Sequence, residues 1–324
     1  MIAGLIFLLI VSSFILIKSA DMVVVAIRRI AKETHAGVFV VSSIILAIST
    51  SFPELFIGIT SALEKESELA LGVVLGSNIA NIALIGALAA FIIGKVNINS
   101  NYIRRDVVIA FIAGLLPFLL VMFDKDLTRI DGLILITTYL AYATGFFKHR
   151  YEQIGREHKE EGFFYRFFRK VRNIESIKSR ELGRFFLGIS LLLFSADAIV
   201  KLSKSLAVYA NIDVFIIGLI ILAIGTSLPE FAFSLRSLED DQPSMFLGNI
   251  LGSVIANSTL IVGISVFIFP LENIVFSEYL VAVITFTITF IVFWFFIKTK
   301  HMLMRWEAGF LILIYVTFLV LEFS

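Results

Sequence analysis

Apolar runs of about 20 residues recur along the whole of this chain, and a helix of that length crosses a hydrocarbon core about 30 Å thick. Inside lipid each backbone N–H and C=O must be satisfied within the segment itself, so such runs are committed to helix. Of 324 residues, 59% are apolar and only 16% charged, against about 45–50% and about 25% in soluble domains. The expected fold is an all-α membrane protein. Spans are predicted near residues 2–27, 37–62, 69–94, 107–123, 130–147, 184–205, 213–238, 244–268, 275–297 and 305–322, ten transmembrane helices. The first run, Ile2 to Ile17, precedes the first positive charge, Lys18. A cleavable leader carries its positive charges first, so this run reads as a span. The chain has no cysteine, which excludes disulfides and thiolate metal centres. A net charge of +1 gives no basis for binding nucleic acid.

The chain is also written twice. Residues 44–54 read Ile-Ile-Leu-Ala-Ile-Ser-Thr-Ser-Phe-Pro-Glu, and residues 220–230 read Ile-Ile-Leu-Ala-Ile-Gly-Thr-Ser-Leu-Pro-Glu. Nine of the eleven positions are identical, at an offset of 176 residues. Residues 71–81 match 247–257 at eight of eleven positions, and Ser19-Ala20-Asp21 matches Ser195-Ala196-Asp197, both at the same offset. Three blocks in one register mark a duplicated unit.

Orientation follows from the basic residues. With the N-terminus outside, 21 of the 27 Lys and Arg fall in inner connections, and 11 of those lie between Lys148 and Arg184. Five fall outside, at Lys65, Lys125, Arg129, Lys201 and Lys204, with Lys18 unassigned. Five crossings per copy is an odd number, so the second copy must enter from the opposite face. The expected organisation is a first five-helix repeat over 1–147, a basic cytoplasmic segment over 148–183, and an inverted second repeat over 184–324. Within the central segment Phe163, Phe164, Phe167, Phe168 and Val171 share one helical face, with Arg166, Arg169, Lys170 and Arg172 around them. That pattern suits a helix lying on the cytoplasmic leaflet.

The chemistry sits in the doubled blocks. Glu54 and Glu230 are carboxylates at membrane depth, where an ionisable group is costly and marks function by default. No Lys or Arg lies inside either block to neutralise them. Each follows a proline, which withholds the N–H due to the carbonyl four residues back. Pro53 thus frees backbone near Ser49 and Thr50, and Pro229 does so near Gly225 and Thr226. Carbonyls, hydroxyls and a carboxylate together form a hard-oxygen cluster that suits a hard cation. Thr50, Ser51, Thr226 and Ser227 supply the hydroxyls, although a lone buried hydroxyl more often back-bonds to its own helix. Ser77 and Asn81 are four apart, as are Ser253 and Asn257, so each pair shares a helix face. Gly72 with Gly76, and Gly248 with Gly252, allow close helix approach and would bring those polar faces to the proline breaks. The bland reading of these pairs is interhelical glue; their recurrence in register with the glutamates favours ligation. Asp21 and Asp197 lie near span ends beside Lys18 and Lys201 and read as structural.

Thr-Ser-x-Pro-Glu in both halves, each followed by Gly-Ser-x-Ile-Ala-Asn, resembles the two α-repeats of the sodium/calcium exchanger family, within the cation/calcium antiporter superfamily. The resemblance covers nearly the whole chain. It implies a central calcium site at Glu54 and Glu230 with the carbonyls of Thr50 and Thr226. Flanking sodium sites would use Ala47, Ser51, Ser77, Ala223, Ser227 and Ser253, with Asn81 and Asn257 lining the middle. It implies three sodium ions per calcium ion, a cell-membrane location, no resident cofactor and no obligatory protein partner. The chain departs from the family at Ser49, where glycine is usual, and at Asn257, where many microbial and potassium-dependent members have aspartate.

Two carboxylates facing each other at low dielectric cannot both stay ionised and empty. One Ca2+ or several Na+ would neutralise them, and only a neutralised site can be sealed from water cheaply. That asymmetry makes the expected activity an exchange. Protons are the rival counter-ion, since paired carboxylates titrate high. A passive channel would need polar residues along a pore, whereas here they cluster at one depth. An intramembrane hydrolase would need a motif such as His-Glu-x-x-His or Gly-x-Ser-x-Gly, and neither occurs.

Overall fold

The structure is a computed structural model, and it describes residues 2–33, 50–98, 101–154, 179–272, 274, 276–300 and 302–322. In chain order the helices are α1 Ile2–Glu33, α2 Phe52–Leu63, α3 Ser67–Ile93, α4 Asn101–Asp124 and α5 Arg129–Ile154. They continue as α6 Ser179–Ala210, α7 Val214–Glu239, α8 Pro243–Ile268, α9 Phe276–Lys300 and α10 Arg305–Glu322. Six of them, α1, α3, α6, α7, α8 and α9, are long and apolar enough to cross a membrane. The apolar part of α4 is shorter, Asp106–Met122, and α10 carries Arg305, Glu307 and Glu322 at its ends. Only the part of the predicted span 37–62 from Thr50 onward lies in the described residues. The helices α5 and α6 run past the predicted borders at 147 and 184 into the central segment. The amphipathic stretch Phe163–Val171 lies outside the described residues.

Glycine decides the closest crossings. A Cβ on Gly72 or Gly76 of α3 would overlap the carbonyl oxygens of Phe215 and Leu219 on α7. From the other side, a Cβ on Gly218 would stand 2.6 Å from the Leu69 carbonyl oxygen. The predicted small-residue contact therefore forms in the first copy. The positions that would face Gly248 and Gly252 under the repeat fall on residues 39–43, outside the described residues. A second crossing joins α5 to α8, where Gly132 and Gly263 approach each other's carbonyls.

Two apolar clusters result. The larger joins α3, α4, α5, α7, α8, α9 and α10, with Phe246, Phe286, Phe290 and Tyr315 among its largest fully enclosed side chains. The smaller is built on α1 and α6, which lie along each other and touch one face of α2, α3 and α7. Short backbone ties brace the larger cluster. Strand β1 (Lys95–Asn97), after α3, pairs antiparallel with β2 (Met302–Met304), before α10. Leu127, before α5, bridges Leu271, after α8, through N–H to O bonds of 2.8 and 3.1 Å. These linkers are the only departures from helix that pair as strands among the described residues.

Charge pairs lie along α1 and α6. Lys18 pairs with Asp21 at 3.8 Å within α1, and Lys201 with Asp197 at 2.8 Å within α6. Glu181 at the start of α6 accepts from Arg29 of α1 at 2.9 Å and from Arg184 at 2.8 Å. Burial by itself would raise the Glu181 pKa, but the Arg29 hydrogen bond and the two guanidinium charges outweigh it and hold the carboxyl below its ordinary value. A carboxyl with a lowered folded-state pKa stabilises above its unfolded value, and loses that contribution as pH falls through the folded one. Glu181→Gln is therefore expected to lower the thermal midpoint at pH 7, by a margin that narrows below about pH 4.3. Equal midpoints at pH 7 would show that this clasp contributes nothing.

Candidate cation site

The doubled motif folds into helix breaks. In α7 the helix runs to Thr226, turns at Ser227 (φ −82°, ψ 3°) and restarts at Leu228. Pro229 has no N–H to offer Gly225. The ladder closes around the gap, with Ser227 N–H on the Ala223 carbonyl at 3.2 Å and Phe231 N–H on the Ser227 carbonyl at 3.1 Å. The first copy repeats this geometry: Ser51 has φ −89° and ψ 9°, and Leu55 N–H bonds the Ser51 carbonyl at 3.0 Å. Each break places its glutamate in the first turn of the restarted helix, where the helix dipole favours negative charge.

Glu54 and Glu230 are both completely buried, and among the described residues none of their four carboxylate oxygens has a hydrogen-bond partner. Thr226 and Ser77 lie beside Glu54, Ser253 and Thr50 lie beside Glu230, and the two carboxylates are close enough to act on each other's charge. The hydroxyls meet across the two copies, Ser77 with Thr226 and Thr50 with Ser253, each at 3.4 Å. Shifting either contact by 176 residues gives the other. Ser51 and Ser227 are also buried, each with an unpartnered Oγ, and Ala223 is fully enclosed. Ala47 lies outside the described residues.

Asn81 and Asn257 are fully buried. In α3 the expected α-helical spacing holds from Ser77 to Asn81, whose N–H bonds the Ser77 carbonyl, and each helix then widens into a π turn, Asn81–Gly86 in α3 and Ala256–Ile261 in α8. A π turn adds one residue per turn and re-aims the side chains on it, and such turns are frequent at functional sites. The restarted helix that carries Glu54 packs on the π turn of α8, and the one that carries Glu230 packs on the π turn of α3. Among the described residues Asn81 has no partner for either amide atom, and Asn257 has none for its Oδ1.

Three polar residues at the site were not singled out by sequence reasoning. Asn78 donates to Ser258 Oγ at 2.6 Å and accepts from Asn257 Nδ2 at 3.3 Å. Asn249 accepts from the Thr50 hydroxyl at 3.2 Å. All three break the repeat, since Val254, Val73 and Ile82 stand at the matching places. A polar residue where the sister copy is aliphatic was the signal that would have found them.

Two buried carboxylates beside four hydroxyls, at the meeting of two copies of one motif in a chain with six helices long and apolar enough to cross a membrane, mark a candidate cation site. The chain belongs to the sodium/calcium exchanger protein family, whose model matches residues 4–148 and 181–324. It is 29% identical over 338 residues to the sodium/calcium exchanger MaX1 of Methanosarcina acetivorans, covering 95% of each chain. It is 27% identical over 267 residues to the inner membrane protein YrbG of Escherichia coli, covering 82% of this chain and 80% of that one. Its fold matches a structure of the sodium-calcium exchanger NCX_Mj soaked with Na+ and Sr2+, with a TM-score of 0.61, 24% identity and 99% of both chains covered.

Proposed function

We propose that this protein is a sodium/calcium antiporter that exports Ca2+ in exchange for Na+ by alternating access. The observation that carries the reading is the pair Glu54 and Glu230, enclosed with no partner on any oxygen among the described residues. An isolated buried carboxylate is costly, and a bound metal cation would relieve that cost. Ca2+ takes six to eight oxygens; the two carboxylates and the Thr50 and Thr226 carbonyls approach that number. Na+ would use Ser51, Ser77, Ser227 and Ser253 with the Ala47 and Ala223 backbone, and Asn81 and Asn257 would line the middle. The architecture that goes with it is ten spans as two inverted five-helix repeats. The reciprocal Ser77–Thr226 and Thr50–Ser253 contacts support that symmetry. The pair α1 and α6, attached mostly to each other, is the element that would slide against the braced remainder.

The test is calcium uptake into proteoliposomes under a sodium gradient, with and without potassium, between about pH 7 and 8. Asparagine at 257 keeps the site at two negative charges, so uptake is expected to need sodium, to need no potassium, and to vary little with pH. Asn257→Asp should add proton sensitivity. Uptake driven by a proton gradient without sodium, an absolute need for potassium, or flux that only dissipates a calcium gradient would overturn the reading.

Sidedness is tested separately. The excess of Lys and Arg favours a cytoplasmic central segment, so a cysteine introduced at Glu160 should react with an impermeant thiol reagent only after cells are opened. Labelling of intact cells would reverse the orientation.

A further inference from the structure

The two site asparagines, equivalent in the repeat, are held differently. Asn257 gives its amide N–H to Asn78 Oδ1 at 3.3 Å, and Asn78 is itself anchored by donating to Ser258 Oγ at 2.6 Å. All three residues are at most 1% exposed. Among the described residues, the amide atom of Asn257 left without a partner is its oxygen. Asn81 has no such neighbour among them: both of its amide atoms are unpartnered there, and the residue matching Asn78 in the other copy is Val254. A carboxamide has a donor edge and an acceptor edge, and only the oxygen can bind a cation. Which edge faces a cavity is set by whatever engages the other edge.

We propose that Asn78 is a positioning residue for the cation site: by accepting the Asn257 N–H it keeps the Asn257 oxygen turned toward the carboxylates, which makes this amide a fixed ligand and leaves Asn81 unbraced. The inference rests on the proposed cation site and goes beyond it, since it assigns a role to a residue at a position that the two copies do not share. Its physical content is preorganisation. A ligand whose orientation is already fixed need not be ordered when the ion arrives.

A double-mutant cycle separates this role from simple packing. A carboxylate offers oxygen on both edges, so it needs no brace. Calcium dissociation constants are measured by titration calorimetry on the purified full chain for the unaltered protein, Asn78→Val, Asn257→Asp and the double variant. Thermal midpoints without calcium serve as the folding control. Asn78→Val is expected to weaken calcium binding about tenfold, a shift of about 1.4 kcal/mol, when residue 257 is asparagine. In the Asn257→Asp background it is expected to change the constant by less than about twofold. Equal losses in both backgrounds, or no loss in the first, would overturn the inference. Should the valine variant fail to fold, Asn78→Ala takes its place with the same expected pattern. An unaltered protein that binds no calcium would instead defeat the function on which the inference stands.

Discussion

Calcium uptake falls to background in Glu54→Gln and in Glu230→Gln, while both variants fold: this is the expected result of removing one of the two buried charges. Glutamine keeps the size of the side chain and one carbonyl oxygen, but the site drops from two negative charges to one. A calcium ion would then carry an uncompensated positive charge into a low-dielectric interior, where the cost is several kcal/mol. At 1.4 kcal/mol per tenfold, affinity should drop by roughly a hundredfold or more. The same substitution relieves the ion-free protein, because two buried, mutually repelling carboxylates become one. The thermal midpoint without calcium should therefore rise, and the increment on adding calcium should disappear. Uptake by proteoliposomes and thermal unfolding with and without calcium measure both sides. Near-normal uptake in either variant would remove the glutamates from the centre of the mechanism.

The other large effect is steric. Gly76→Ala puts a methyl group on the Leu219 carbonyl oxygen, and a backbone atom inside a packed helix cannot swing aside as a side-chain tip would. Overpacking of a close contact costs about 1–3 kcal/mol and occasionally more; with the obstruction made of backbone, the upper end of that range or beyond is expected. Gly183→Ala on α6 supplies the contrast. Among the described residues no atom lies within 4 Å of the added Cβ, and exchanging glycine for alanine in a helix gains about 0.5–1 kcal/mol. The thermal midpoint in detergent should fall steeply for Gly76→Ala and hold or rise for Gly183→Ala. A Gly76→Ala protein as stable as the unaltered one would mean that α3 and α7 do not meet backbone to backbone.

The two variants also show where sequence reasoning reaches and where it stops. Glu54, Glu230 and their prolines could be read directly, because a carboxylate within an apolar run has few explanations and the run was repeated. The Gly72–Gly76 contact could be read from spacing, since small residues one turn apart open one face of a helix. The π turns at Asn81 and Ala256 could not. Their residues have no composition of their own, and the extra residue per turn is settled by what packs around the helix. Asn78, Asn249 and Ser258 were passed over because attention went to positions that the copies share, whereas these three are positions where they differ. The Glu181 clasp joins α1 to α6 across 152 residues of sequence, and no local pattern announces such a pairing. The helices α5 and α6 run several residues beyond the spans expected near 130–147 and 184–205, since hydropathy marks the apolar stretch and not where the helix itself ends.

The π turns carry a consequence for genetics. Each one is a turn of helix with a residue inserted, so losing a single codon there would return the segment to regular α-helix. Hydropathy would scarcely change, and the span would still cross the bilayer. The turns on either side would stay nearly in register, because the wide turn had already absorbed the extra residue. Only the side chains on the turn itself would be re-aimed, and in α3 and α8 those turns carry Asn81 and Asn257. A frame-preserving loss of three nucleotides, silent to any test of membrane insertion, would thus act on the asparagine turns while the rest of each helix kept its packing.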